Sequence, residues 1–411
     1  LFQGDMGIFI EDNSGSQKQW SWMNFGQDQG FGTSLSDASV ALGNQSDASG
    51  YGKFKYPVPA GFNALCTQNM ADPEVIKPDD HFKITTYSGN ASTGSGDTIT
   101  LSSLNFAPAM TWLKPRSYAD NWVCFDTTRG AHKTLYWNTN NIQGDRTSGN
   151  DSLTAFSSSG WTIRDWNNIN KSGETFFSVN WKESAASGFD IVTYEGTGSN
   201  MTVSHSLGVA PDMFIVKNLG DTNGNNRGWM MYHTSLGASA YIRPDVNEAK
   251  QTSYSLAWND TAPTSSVISL GGDGSNVNQD NDNFIGYLWK AKDGLSKFGK
   301  YTGNGSTNGP FIYTGFKPAF VIVKTTGVDD WNVWNYAINQ PASGYNDEVN
   351  YWNESNATGS NDTDHAGIFY SNGFKINTSN SQENGNGNEY LYLAWAQEAA
   401  KYATAFGIDQ T

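Results

Sequence analysis

The chain is 411 residues long, with 40 acidic against 25 basic residues, a net charge of −15, and only 16% charged residues beside 14% aromatics. Fifteen Trp, 19 Tyr and 22 Phe carry enough apolar surface to exclude a disordered chain, and the acidic balance excludes a phosphate backbone as partner. Sparse charge beside 44 glycines argues for strands and turns over surface helices, and the length argues for several compact units.

From the N-terminus, Leu1–Asp5 shows neither the basic region nor the apolar core of a signal peptide. No apolar run nears the roughly 20 residues that span a bilayer, so membrane insertion is not expected. Gly7 to Trp22 and Tyr51 to Lys55 are strand-like but too few to form a core, so residues 1–70 read as the C-terminal remainder of a β-sandwich domain. Residues 71–81, with Pro73 and Pro78, read as a linker. Cys66 and Cys124 are the only thiols, without metal-ligand spacing; a bridge between them stays open.

A repeat follows. Tyr87-Ser88-Gly89, Tyr194-Glu195-Gly196 and Tyr301-Thr302-Gly303 stand 107 residues apart, each after a segment opening on Phe82, Phe189 or Phe298. Pro108, Pro211 and Pro318 each precede a lysine by six residues: Lys114, Lys217 and Lys324. Trp122, Trp229 and Trp331 come next, and Phe176–Trp181, Phe284–Trp289 and Tyr390–Trp395 close the units. The proline-led blocks are apolar on both faces, as in a buried central strand entered through proline. Short strands lie between, such as Trp161-Thr162-Ile163 and Phe374-Lys375-Ile376 behind the turn dipeptide Asn372-Gly373. The expected fold is all-β: three tandem β-sandwich, jelly-roll-like repeats of about 100 residues. Their bounds are 82–186, 187–295 and 296–398, with a tail at 399–411; the alanine-rich stretch Ala396 to Ile408 reads as a short helix or a tail.

Five phrases carry a family resemblance: Tyr56–Thr67, Gly208–Asn218, Trp258–Val267, Lys297–Gly305 and Tyr313–Pro318. They resemble tandem-repeat domains of phage tail-fibre-like virion proteins, notably of marine bacteriophages and cyanophages, where such repeats follow a SPRY-like or laminin-G-like sandwich. The resemblance implies location in the virion, contact with a host-surface glycan or protein and with other tail proteins, and, by analogy with phage fibres, a homotrimer. Three similar domains also allow an approximate threefold axis within one chain.

Trp137-Asn138 and Trp352-Asn353 depart from the family's Leu-Asn phrase, and Arg243-Pro244 replaces them in the second unit. Tyr136, Trp137, Tyr351 and Trp352 beside asparagines form a set suited to stacking on sugar faces, and are the candidate ligand-binding residues; packing against a neighbouring repeat is the alternative. Asp273, Asp280 and Asp282 lie on an Asx-rich loop that suits calcium without EF-hand spacing, and otherwise no cofactor is expected. His81, His132, His205, His233 and His365 read as occupying no shared repeat position, and no nucleophile or metalloprotease motif occurs, so catalytic residues are not expected. A tail-associated polysaccharide depolymerase and a purely structural virion spacer are the rival readings. The repeated lysines at strand ends read as structural, reaching to a carboxylate or carbonyl.

Overall fold

A computed structural model describes residues 6–9, 20–23, 45–51, 57–62, 72–92, 94–220, 225–272, 276–338, 348–359, 365 and 367–398. Two compact units divide the chain at Pro73 and Glu74. In the first, β1 (Met6–Phe9) pairs antiparallel with β2 (Trp20–Met23). Its described turns are an Asx turn, in which Asp47 Oδ1 accepts from the amides of Ser49 and Tyr51, and a turn closed by Phe62 N–H donating to Pro59 O, with Gly61 at φ +87°. Tyr51 to Lys55, expected as a strand, falls outside the described residues beyond Tyr51, as does Cys66.

The second unit holds three lobes. The first comprises β3 (Phe82–Ser88), β4 (Ile99–Leu101), β5 (Met110–Pro115), β6 (Val123–Asp126), β7 (Lys133–Tyr136), β8 (Gly144–Asp145), β9 (Leu153–Ser157), β10 (Gly160–Ile163) and β11 (Thr175–Trp181). The second comprises β12 (Phe189–Glu195), β13 (Met201–Ser204), β14 (Met213–Gly220), β15 (Met230–His233), β16 (Ala240–Tyr241), β17 (Gln251–Thr252), β18 (Val267–Leu270) and β19 (Asn283–Trp289). The third comprises β20 (Ser296–Thr302), β21 (Phe311–Tyr313), β22 (Pro318–Thr325), β23 (Asn332–Asn335), β24 (Val349–Tyr351), β25 (Gly367–Tyr370), β26 (Gly373–Ile376) and β27 (Glu389–Ala396). Each lobe has a large antiparallel sheet in one order: β3-β11-β5-β6-β7-β8, β12-β19-β14-β15 and β20-β27-β22-β23-β24. A smaller sheet covers each, ordered β4-β10-β9, β13-β18 and β21-β26-β25. The chain is therefore an all-β sandwich assembly. Ala396 ends β27 in place of opening a helix, and residues 399–411 lie outside the described ones.

The register explains why the proline-led strands are apolar on both faces. Leu113, Val123, Phe125 and Trp161 pack between the two sheets of the first lobe, and the other lobes have matching cores around Phe214 with Trp258 and around Val323 with Phe374. The opposite face of all three large sheets enters one shared core containing Trp112, Trp181, Ile215, Trp289, Ile322 and Trp395. The closing tryptophans meet there: Trp181–Trp289, Trp181–Trp395 and Trp289–Trp395 centroids lie 6.5, 5.8 and 6.4 Å apart with interplanar angles of 70°, 79° and 69°. Three equivalent rings in three equivalent edge-to-face contacts place a local threefold axis inside one chain.

Three seams repeat the same contacts in cyclic order. Trp122 Nε1 donates to Tyr351 O, Trp229 Nε1 to Tyr136 O, and Trp331 Nε1 to Arg243 O, at 2.9, 2.9 and 3.1 Å. Backbone bonds close each seam: Thr358 N to Arg116 O, Gln143 N to Leu219 O and Lys250 N to Thr326 O. The first lobe's edge strand is capped by the end of the third, since Ile84 N donates to Gln397 Oε1 at 2.9 Å, as Ile191 N donates to Glu183 Oε1 at 3.1 Å. Residues 74–81 are not a free linker: Val75 is buried in the shared core and its N–H donates to Asp293 O.

The Tyr-x-Gly phrase has one job in all three lobes. Tyr87, Tyr194 and Tyr301 stack on Phe176, Phe284 and Tyr390 across the strand pair. Their hydroxyls donate to the carbonyls of Ile169, Val277 and Glu383, each just before a buried asparagine, Asn170, Asn278 or Asn384. Those side chains accept from the amides of Asn90, Thr197 and Asn304. The glycine is required by close approach, because a Cβ on Gly89 would stand 2.0 Å from Lys171 O, and one on Gly196 2.1 Å from Gln279 O.

Candidate functional site

Trp137 and Trp352 are fully buried and offer no face to a sugar. Trp137 stacks on Trp229 at 4.0 Å, Trp352 stacks on Trp112 at 5.2 Å, and the two lie 5.3 Å apart, so both fill the shared core. This corrects their reading as surface residues. Large rings are placed there because the axis is where three sheets converge and must be filled. Tyr136 and Tyr351 are half-buried and lend their carbonyls to the seam tryptophans. The asparagines of the two phrases are structural too: Asn138 and Asn353 accept from the amides of Trp122 and Trp331, and Asp245 does the same for Trp229. Pro244, buried, occupies the corresponding place in the second lobe.

Of the calcium candidates, Asp280 and Asp282 have different surroundings. Asp280 is exposed and accepts from Asn281 Nδ2, whereas Asp282 is buried and accepts from Asn218 Nδ2 at 2.8 Å; Asp273 lies outside the described residues. Among the described residues no group of three His, Cys, Asp or Glu is placed to hold a metal. Cys124 is a free buried thiol, 3.7 Å from Tyr287 Oη, and burial raises its pKa to about 12. The histidines are dispersed. His81 and His132 meet Ser187 and Ser152, His205 meets Thr264 O, and buried His365 lies 2.6 Å from Glu383. His233 does hold a shared position, four residues after its tryptophan like Asp126 and Asn335, and all three accept an amide from the following turn.

The repeated lysines are enclosed by carbonyls. Lys114 Nζ donates to Asp120 O, Asn356 O, Pro115 O and Ser355 O at 2.8–3.2 Å; Lys217 reaches Asn140 O and Arg227 O; Lys324 reaches Thr325 O and Gly327 O. Burial lowers Lys114 and Lys217 to about 7 and Lys324 to about 8. Two of the three bridge lobes, and all are inaccessible to a ligand.

The three small sheets supply an internal comparison. Strand alternation turns Ile312, Phe374 and Ile376 inward and leaves Phe311, Tyr313, Ile368, Tyr370 and Lys375 facing outward on the third lobe. Phe311 and Tyr313 are 46% and 59% exposed, although large exposed rings are scarce elsewhere in the described unit. Phe311 meets Tyr370 edge-on at 5.8 Å and lies over Gly373, whose missing side chain leaves room for the ring. Lys297 Nζ lies 5.0 Å from the Tyr313 ring. In the first lobe the corresponding face carries Thr100, Thr162 and Ala155, and in the second Thr202, Ser204, Val267 and Ser269. The aromatic face belongs to the third lobe alone. The sequence conceals this face because Tyr313 falls within a framework phrase and Lys375 within a short core strand; the alternation Phe311-Ile312-Tyr313 is the available signal.

An open polar recess of about 570 Å³ lies elsewhere on the third lobe, lined by residues including Thr326, Val328, Asp329, Ser381, Asn388 and Glu389.

Residues 77–399 match the family described as a domain of unknown function (DUF7483). The chain belongs to this family. No curated protein matches it. Among solved structures, one described as "Crystal Structure of the STIV MCP" aligns at 8% identity over 51% of this chain and 85% of its own, with a TM-score of 0.17, too low to equate the two folds. The closing tryptophans, the carbonyl-bound lysines and the aromatic face all lie within the DUF7483 span.

Proposed function

We propose that this DUF7483 chain is a virion component, a non-enzymatic fibre or adhesin module that binds a host-surface glycan through the aromatic face of its third repeat. The observation that carries the binding reading is that the outward face of the third small sheet holds Phe311, Tyr313 and Tyr370 where the other two lobes carry threonine, serine, alanine and valine. A solvated sheet face has no folding reason to hold three rings, whereas pyranose rings present C–H faces that stack on them. The virion assignment rests on the resemblance of the repeat phrases. Partners are accordingly a host glycan or protein and neighbouring tail proteins. The threefold axis is internal, so burial of the tryptophans does not depend on a homotrimer.

A glycan array probed with the full chain and with Tyr313→Ala tests the binding reading. Signal for a glycan class that falls at least tenfold in the variant is expected. A blank array would leave the structural-spacer reading. The depolymerase reading is favoured by one feature, the two carboxylates of Asp329 and Glu389 on one recess. Against it, hydrogen bonds from Lys300 and then Lys250 lower the Glu389 pKa, the reverse of what a general acid needs. New reducing ends on a bound polysaccharide, abolished by Glu389→Gln, would replace binding by cleavage.

A further inference from the structure

The aromatic face is also a cationic one. Lys375, paired in register with Phe311, projects from it, and its Nζ reaches the amide oxygen of Asn308 at 2.5 Å. Lys297, on the neighbouring edge strand, donates to Tyr313 O at 3.0 Å and lies against the Tyr313 ring. Among the described residues neither ammonium has a carboxylate partner. Several other surface lysines do: Lys133, Lys171, Lys250 and Lys290 each contact an Asp or Glu within 3.3 Å. Among the described residues, the outward side chains of the third small sheet include no acid; Asp293 stands at its corner, near Gly315 and the Tyr313 hydroxyl. Such a patch is conspicuous on a chain of net charge −15, whose mean field repels anions.

The other lobes separate charge from rings. Lys83 corresponds to Lys297, since Phe82 and Ser296 both pair with a closing tryptophan, but its ammonium meets Ser103 O above a face of threonines. In the second lobe the corresponding residue is Asp190, buried and accepting from Ser206 N–H. Among the described residues, rings and cations without a carboxylate partner coincide on the small sheet of the third lobe alone.

Resting on the glycan reading above, we infer that the occupant of this face is an acidic polysaccharide bearing uronic acids. A pyranuronate carries its carboxylate at the ring edge, which leaves the C–H face free to stack on Phe311 or Tyr313 while the charge meets Lys375 or Lys297. Cation and ring then read two features of one sugar.

The test titrates the full chain with polygalacturonate, with its fully methyl-esterified form, which keeps the rings and removes the charge, and with dextran sulfate. The expected result is binding to polygalacturonate that weakens with salt and is at least tenfold tighter than to the ester. The double variant Lys297→Gln, Lys375→Gln should lose that preference while retaining its circular dichroism and melting temperature. Equal binding of acid and ester, or binding to dextran sulfate without polygalacturonate, would overturn the uronate inference. If neutral glycans then bound in a Tyr313-dependent way, the glycan reading would stand without it. No binding to any polymer or array glycan would overturn both.

Discussion

Trp137 and Trp352 look like surface residues in the sequence because the second unit lacks their counterpart, and variability reads as freedom from packing. In space buried Pro244 occupies that place in the second lobe, and the two tryptophans meet each other in the shared core. What decides burial here is a neighbouring lobe, invisible to strand periodicity. Trp137→Ala should therefore destabilise the protein by about 3–5 kcal/mol, seen as a lower urea midpoint with little change in slope. Tyr313→Ala, on an exposed face, should shift stability by no more than about 0.5 kcal/mol. Loss of glycan binding by Trp137→Ala at unchanged stability would contradict the assignment. Asn170, Asn278 and Asn384 were legible in principle, at spacings of 108 and 106 residues, but an asparagine amid so many gives no contrast.

At the scale of the element, the proline-led strand is the most readable part of the chain. Its apolar alternation on both faces predicts a central strand, and β5, β14 and β22 lie between neighbours on both sides. The lysine in its second half reads as structural from the sequence, and its partners are carbonyls, two of the three lysines reaching across a seam to another lobe. Burial gives these groups a linked pH dependence. Below pH 7 the lysines are charged in both folded and unfolded chains, and the folded state bears the full cost of burying that charge. Between the folded values, about 7 to 8, and the unfolded value near 10.4, the unfolded chain binds more protons, so stability rises with pH. Each lysine contributes up to about 1.4 kcal/mol per pH unit over that window. Melting temperature should climb from pH 7 to pH 9, and Lys114→Met should reduce the slope by roughly a third; a flat profile in the wild type would refute this account.

Across the whole second unit, three sandwiches share one core, so none has its inner face covered alone. The closing strands Phe176–Trp181, Phe284–Trp289 and Tyr390–Trp395 should open together: in hydrogen-exchange mass spectrometry on the full chain, their slowest amides should report one common opening free energy. Three well-separated values would mean independent domains. The sequence by itself determined the all-β class, the threefold repetition of strand phrases and the core identity of the closing tryptophans, because period-2 alternation and fixed spacing are local signals. Only the tertiary structure decided which face of each sheet meets another lobe, and with it the fate of Trp137 and Trp352. Only the tertiary structure, too, set the rings of Phe311 and Tyr313 beside Lys375 and Tyr370, since β21 joins the local β25–β26 hairpin by pairing between residues some 60 positions apart.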